Sequence, residues 1–399
     1  MIEILRSGSW IYHPRSILIL RMWAVIALPL LAVVFWSYTQ DGLTNGGGKV
    51  IGEDFVDFWV GAKFALDGHG ATAYDLEALR TAIVDVARAP IEPYLYSYPP
   101  SMMLLTLPLA LFPFTIALAV WTISGIMVLY ALLRQLMNQQ NAMITLLAAP
   151  ATFVNAIFGQ TGALSAAFLG GGLLLLNTHP ITAGLVLGLL SYKPHLGILL
   201  PVALVCGGHW RAFMGATFSV GALAGASAAI VGLEAWQAFP ARVFDMQTII
   251  SLQGQGLWHR IPTTFISARL LGFQPMTAWL FHAPVALLAF ITVGVVWRRR
   301  SNMASVKATV LVLATLLVTP YAWDYDMVVL VVVVAWRFKE GSWRPWEASA
   351  LTLAMLLPFI LAPAAKGLGL PIGPAVLLFA LWTVAQNKEP MSTHRLCAL

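Results

Sequence analysis

Apolar stretches long enough to cross a lipid bilayer recur from Ile17 almost to the C-terminus, with only two long polar interruptions. A bilayer core takes about 20 apolar residues per helix. Only 10% of the 399 residues are charged, against about a quarter in an ordinary soluble domain. A soluble globule is excluded. The expected fold class is all-α, a polytopic transmembrane helical bundle in which residues 1–399 form a single integral membrane domain.

The net charge of +6 does not point to nucleic acid, because the basic residues are spread over short loops instead of forming one basic face. Cys206 and Cys397 are far apart and imply no disulfide framework. The first apolar run, Ile17 to Tyr38, follows Arg6, Arg15 and Arg21 and is too long for the core of a secretory signal. It ends in Phe35-Trp36-Ser37-Tyr38, residues suited to a membrane interface. It reads as an uncleaved first span.

Cytoplasmic loops are enriched in Lys and Arg, so four basic clusters serve as fixed points: the N-terminal arginines, Arg211, Arg298-Arg299-Arg300, and Arg337/Lys339/Arg344. Between the last three, runs 212–231 and 275–297, then 304–322 and 327–336, form out-and-back pairs. Runs 346–363 and 370–386 return the tail, with Lys388 and Arg395, to the cytoplasm. Region 98–208 admits two threadings. In one, 98–112 crosses and 181–206 is one helix broken at Lys193-Pro194, which gives the adopted count of about twelve spans. In the other, 98–112 is re-entrant and 181–206 is a hairpin with Lys193 at its outer tip, Arg134 inside and Gly159-Gln160 outside.

Two long loops, 39–97 and 232–274, then fall on the extracytoplasmic side with the turn Tyr321–Asp326. Nine of the seventeen acidic residues lie in 39–97. After the flexible Gly46-Gly47-Gly48, residues Phe55, Phe58, Trp59, Ala62 and Leu66 make one helical stripe, and Leu76, Leu79, Ile83 and Val86 another. Both predict amphipathic interfacial helices. Tyr94, Tyr96 and Tyr98 are expected at the interface, with Pro99-Pro100 opening the next helix.

This order of parts resembles the GT-C glycosyltransferases. More closely, Asp54-Phe55-Val56-Asp57-Phe58-Trp59, Ala62, Gly68, Tyr74-Asp75, Tyr98-Pro99-Pro100, Gly159-Gln160, Lys193-Pro194 and Trp323-Asp324-Tyr325-Asp326 are similar to family 87 of the glycosyltransferases, the bacterial polyprenyl-phosphate-mannose-dependent mannosyltransferases. The resemblance runs along roughly residues 50–340 on short motifs. It implies a GT-C bundle in the bacterial inner membrane that moves mannose or a similar sugar from a polyprenyl-phosphate donor to a glycan or glycolipid acceptor at the extracytoplasmic face. The family's catalytic base matches Asp54. Where the family more usually has an apolar residue this chain has Asp57, so the two acids could share or exchange roles.

Such a donor carries a phosphate leaving group, so the reaction needs a base for the acceptor hydroxyl and cations for the departing phosphate. No metal or other cofactor is required. The expected phosphate-binding residues are His259, Arg260, Lys193 and Arg242; those for sugar or acceptor are Gln160, Asp324, Asp326 and Tyr98. Each has a plainer reading. Asp54 suits a helix N-cap, Asp57 could face water, the outer-loop cations could meet lipid headgroups, Gly159-Gln160 could merely break a helix, and the Asp324/Asp326 pair could end one. Lys193, costly inside an apolar run, needs a cavity or a carboxylate partner. Rival classes are a twelve-span secondary transporter, disfavoured because no repeat is found, and a surface-polysaccharide polymerase or ligase, for which His259 and Arg260 would serve.

Overall fold

The computed structural model describes residues 1–253 and 256–386. Lys388, Arg395 and Cys397, and two residues of the second long loop, lie outside the described residues. Helices are the regular elements, and no β-strand occurs among the described residues. In lipid every backbone amide and carbonyl must be paired within the protein, which helices achieve locally. Among the described residues five helices are long and apolar enough to cross a membrane by length and composition: Pro14–Ser37, Phe114–Leu136, Trp210–Ile230, Pro275–Arg298 and the run Glu347–Gly367. Shorter apolar helices fill the space between them.

The first long helix starts with Pro14 in its first turn, and the His13 ring accepts the Arg15 amide. Leu18, Ile19, Val25 and Val33 point outward along it, as a lipid-facing helix permits. The basic clusters collect at one end of the bundle. There Trp346 donates its amide to the Arg6 carbonyl at 2.7 Å, Trp10 bonds Ser349, and Lys339 reaches the Gln135 carbonyl at 3.0 Å. Arg337 is buried against Glu347 at 2.6 Å. Trp297, beside Arg298, bonds the Lys307 carbonyl and packs on His209. Helices Phe114–Leu136, Ala304–Val318 and Val329–Glu340 lead from this end to the other, where Asp54, Gln160, Lys193, Arg260, Asp324 and Asp326 meet.

The path through residues 98–208 follows the second threading, not the adopted one. Helix Pro100–Thr106 has only 7 residues and continues as a 3-10 turn, Leu107–Leu111. It packs on helix Phe55–Leu66, with the Thr106 hydroxyl on the Met102 and Phe58 carbonyls, and does not run the length of the bundle. Segment 181–206 folds as two short arms that meet at Lys193. The first arm packs so closely on helix Trp210–Ile230 that a Cβ on Gly184 would lie 2.0 Å from the Ala212 carbonyl oxygen, the intimate contact that small residues allow. The second arm returns to Gly207, beside Trp297 at the basic end.

The first outer loop forms its helices where the stripes place them, but buries more of itself than one stripe. In Phe55–Leu66 the residues Phe55, Val56, Asp57, Phe58, Val60, Gly61 and Ala62 are all buried, and Leu66 alone of the stripe is exposed. Pro100–Leu111 and the turn Gly70–Tyr74 cover the face that would otherwise meet water. Helix Leu76–Ala87 stays one-sided, with Leu79 and Ile83 buried, and Asp75 caps it by accepting from the Glu77 and Ala78 amides. The tyrosines face inward instead of anchoring an interface. Tyr96 is buried, Tyr94 accepts the Val50 amide, and Tyr98 enters the site.

Candidate active site

Three turns meet at the site because glycines let their backbones touch. Gly159 has φ +54°, and a Cβ there would lie 2.5 Å from the Phe55 Cβ and 2.8 Å from the Gly52 carbonyl oxygen. Gly162 lies against the third turn, where a Cβ would come within 2.4 Å of the Tyr325 carbonyl oxygen. Trp121 fixes Gly159 by donating to its carbonyl at 2.9 Å. Gln160 is thereby held between Asp54 and the turn Trp323–Asp326.

Asp54 precedes helix Phe55–Leu66 but makes no side-chain cap, so capping does not account for it. Its Oδ2 instead accepts the Gln160 side-chain amide at 2.8 Å. The residue is half-buried. Burial raises its pKa above the ordinary aspartate value, against the pull of the Gln160 hydrogen bond, Arg260 and Lys193. Gln160 also exchanges hydrogen bonds with the Tyr98 hydroxyl at 3.0 and 3.2 Å. Its Oε1 accepts from the Thr161 amide at 3.1 Å and from Lys193 at 3.3 Å.

Lys193 is 2% exposed and pairs with Asp326 at 2.6 Å, the carboxylate partner its apolar surroundings require. It lies over the Tyr325 ring as well. His195 contacts the other Asp326 oxygen at 3.4 Å. Arg260 grips Asp324 with two hydrogen bonds, Nε to Oδ2 at 2.8 Å and Nη2 to Oδ1 at 2.7 Å, while its guanidinium stacks 3.6 Å from the Phe158 ring centre. Asp324 raises the Arg260 pKa despite burial, so the cation is permanent. The third nitrogen, Nη1, has no hydrogen bond among the described residues.

Glu53, just before Asp54, has φ +30° and accepts from the Tyr38 hydroxyl, with Lys49 at 3.7 Å. This clamp ties the end of the first long helix to the turn that presents Asp54. Among the described residues no group of three or more His, Cys, Asp and Glu is placed to hold a metal ion.

The glycosyltransferase family 87 model matches residues 96–320, more than half of the chain. The chain belongs to glycosyltransferase family 87. No curated protein and no solved structure matches it. Membership sets aside the transporter reading. The family match begins after Asp54, so the role of that acid in this family 87 glycosyltransferase rests on geometry.

Of the ten residues singled out in the sequence, Asp54, Gln160, Tyr98, Lys193, Asp326, Arg260 and Asp324 gather here. Asp57 and His259 stand apart from this hydrogen-bonded set, and Arg242 reaches it only indirectly, through Tyr74. Asp57 does not face water. It is 7% exposed, its Oδ1 has no hydrogen-bond partner among the described residues, and burial, then Asp54, raises its pKa well above the ordinary value, which favours the neutral form. His259 is partly buried beside Arg260, and burial followed by the charges of Lys366, Arg260 and Lys49 lowers its pKa to about 4. It is a neutral ring near pH 7. Arg242 binds the Tyr74 carbonyl and Asp245.

Sequence reasoning passed over Tyr38, Glu53, Phe158, Thr161, His195 and Tyr325. Tyr325 had a signal, since it lies between Asp324 and Asp326 in a motif already quoted, and His195 directly follows the Lys193-Pro194 pair. Tyr38 and Glu53 had none, because their partnership depends on how the first loop turns back.

Proposed function

We propose that this glycosyltransferase moves a hexose, mannose or a close relative, from a polyprenyl-phosphate donor to a lipid or glycan acceptor at the extracytoplasmic face of the bacterial cell membrane. The observation that carries the reading is the Asp54 carboxylate, raised in pKa by burial and oriented by Gln160, with the Arg260 cation close enough to act on its charge. A base poised toward the working pH and held in one orientation is what abstraction of an alcohol proton needs.

In the proposed step Asp54 takes the proton of the acceptor hydroxyl while that oxygen bonds to the anomeric carbon. The bond from that carbon to the phosphate oxygen breaks, its electron pair leaves on the phosphate, and polyprenyl monophosphate is released. Arg260 offers Nη1 to the developing charge while Asp324 and Phe158 hold its plane still. Lys193, committed to Asp326, serves by fixing the Gln160 oxygen and not by gripping phosphate. The extracytoplasmic placement is supported by the basic clusters at the opposite end of the bundle, since cytoplasmic loops carry the excess of Lys and Arg.

The test is reconstituted protein given labelled polyprenyl-phosphate mannose or a labelled nucleotide sugar, with a membrane extract as acceptor. Consumption of the lipid-linked donor with release of polyprenyl phosphate is expected. Turnover of the nucleotide sugar alone would overturn the donor assignment.

A further inference from the structure

A base held by Gln160 is only as well placed as Gln160 itself, and Tyr98 is one of the groups that hold it. The backbone of Tyr98 is in turn tied down, because its carbonyl accepts the Tyr74 hydroxyl at 2.7 Å. The Tyr74 carbonyl accepts from Arg242, through Nε at 3.0 Å and also through Nη2. Arg242 lies in helix Leu233–Gln253 of the second outer loop, and its remaining nitrogen bonds Asp245 at 3.1 Å. The Tyr74 ring packs between Tyr96, 5.3 Å away, and Phe239 of that same helix, 6.3 Å away.

A series of hydrogen bonds, linked through the covalent frames of Tyr74 and Tyr98, therefore leads from Arg242 to Gln160 and Asp54. An arginine serving as a phosphate grip would keep its forked donors for the ligand, whereas this one spends two of them on a neutral carbonyl. We infer that Arg242 and Tyr74 are positioning residues that set the orientation of the catalytic base, and that they couple the second outer loop to the first. The inference rests on the reading of Asp54 as base. Of the two Tyr98–Gln160 contacts, the 3.0 Å bond donated by the Gln160 amide is of ordinary length and the 3.2 Å bond donated by the hydroxyl is long. A shift of the Tyr98 backbone by about half an ångström would lose the longer bond and weaken the shorter, leaving Gln160 held toward Asp54 by fewer contacts.

Tyr74→Phe deletes the one hydroxyl that reaches Tyr98 and keeps the ring packing. In reconstituted enzyme with the lipid-linked donor, kcat should fall about three- to tenfold, the worth of one hydrogen bond, with the donor KM unchanged. The acid limb of the pH profile should move to higher pH, because loosening Gln160 removes a bond that favours the Asp54 anion. Arg242→Ala should act the same way, and the double variant should be no slower than the slower single variant. A raised KM with unchanged kcat in Arg242→Ala, fully additive losses, or a wild-type profile in Tyr74→Phe would overturn the inference. Asp54→Asn measured alongside separates the two failures. If that variant keeps turnover, the base reading falls; if it is inactive while Tyr74→Phe is unaffected, only the positioning chain falls.

Discussion

Replacing Gly159 with alanine tests whether the site is built by backbone contact. At φ +54° an L side chain costs about 1–2 kcal/mol. The new methyl would sit 2.5 Å from the Phe55 Cβ and 2.8 Å from the Gly52 carbonyl oxygen, both closer than the 3.0 Å that Cβ contacts keep. The turns bearing Asp54 and Gln160 must separate by about 0.5–1 Å, and overpacking of this kind adds about 1–3 kcal/mol. The Gln160–Asp54 bond, now 2.8 Å, would stretch past the length at which a hydrogen bond holds. The variant should lose about 2–5 kcal/mol of stability, read as a lower thermal midpoint in detergent. Sugar transfer should fall about a hundredfold, the usual cost of misplacing a reacting group by about 1 Å. Gly125→Ala is the control, because its Cβ would meet only the Ala163 Cβ at an ordinary 3.7 Å inside helix Phe114–Leu136. It should be neutral or slightly stabilising, by up to about 1 kcal/mol. Wild-type rate and midpoint in Gly159→Ala would refute the packing argument.

Lys193→Met should destabilise the protein by about 3–5 kcal/mol, since Asp326 would be left buried without its cation; Lys193→Met with Asp326→Leu should recover part of that loss in thermal denaturation. Asp57 has a folded-state pKa above its unfolded one, so its contribution to stability is fully present below the unfolded pKa and is lost as pH rises toward the folded value. Asp57→Asn, which stays neutral, should therefore show a flatter dependence of thermal midpoint on pH, and a wild-type slope would contradict the burial argument. In the wild-type enzyme kcat/KM should decline as pH falls through the raised Asp54 pKa, with an acid limb above the ordinary aspartate range.

The membrane class and the first long helix were legible because apolar length alone decides them. Helix Pro14–Ser37 lies within three residues of the apolar run at its start. The helices of the first outer loop were legible from period, yet their burial was not, because the Phe55–Leu66 stripe cannot reveal that Pro100–Leu111 folds back over the opposite face. The same fold-back explains why 98–112 reads as a crossing in the sequence: an apolar segment of that length looks alike whether it meets lipid or protein. Site chemistry was visible as residue types, while the pairings were not. Arg260 and Asp324 lie 64 positions apart, and Gln160 and Asp54 lie 106 apart. Arg260 and Lys193 looked like two free phosphate cations, and the structure shows that each already holds a carboxylate.

Transfer by Asp54→Asn is the most direct measurement of the central claim. The substitution keeps the shape and a hydrogen-bonding oxygen for Gln160 but cannot accept the acceptor's proton. Purified variant and wild type would be compared in proteoliposomes with lipid-linked donor at saturation. The account predicts a fall in kcat of about a hundredfold or more, with the donor KM and thermal midpoint close to wild type. Turnover at the wild-type rate would contradict it.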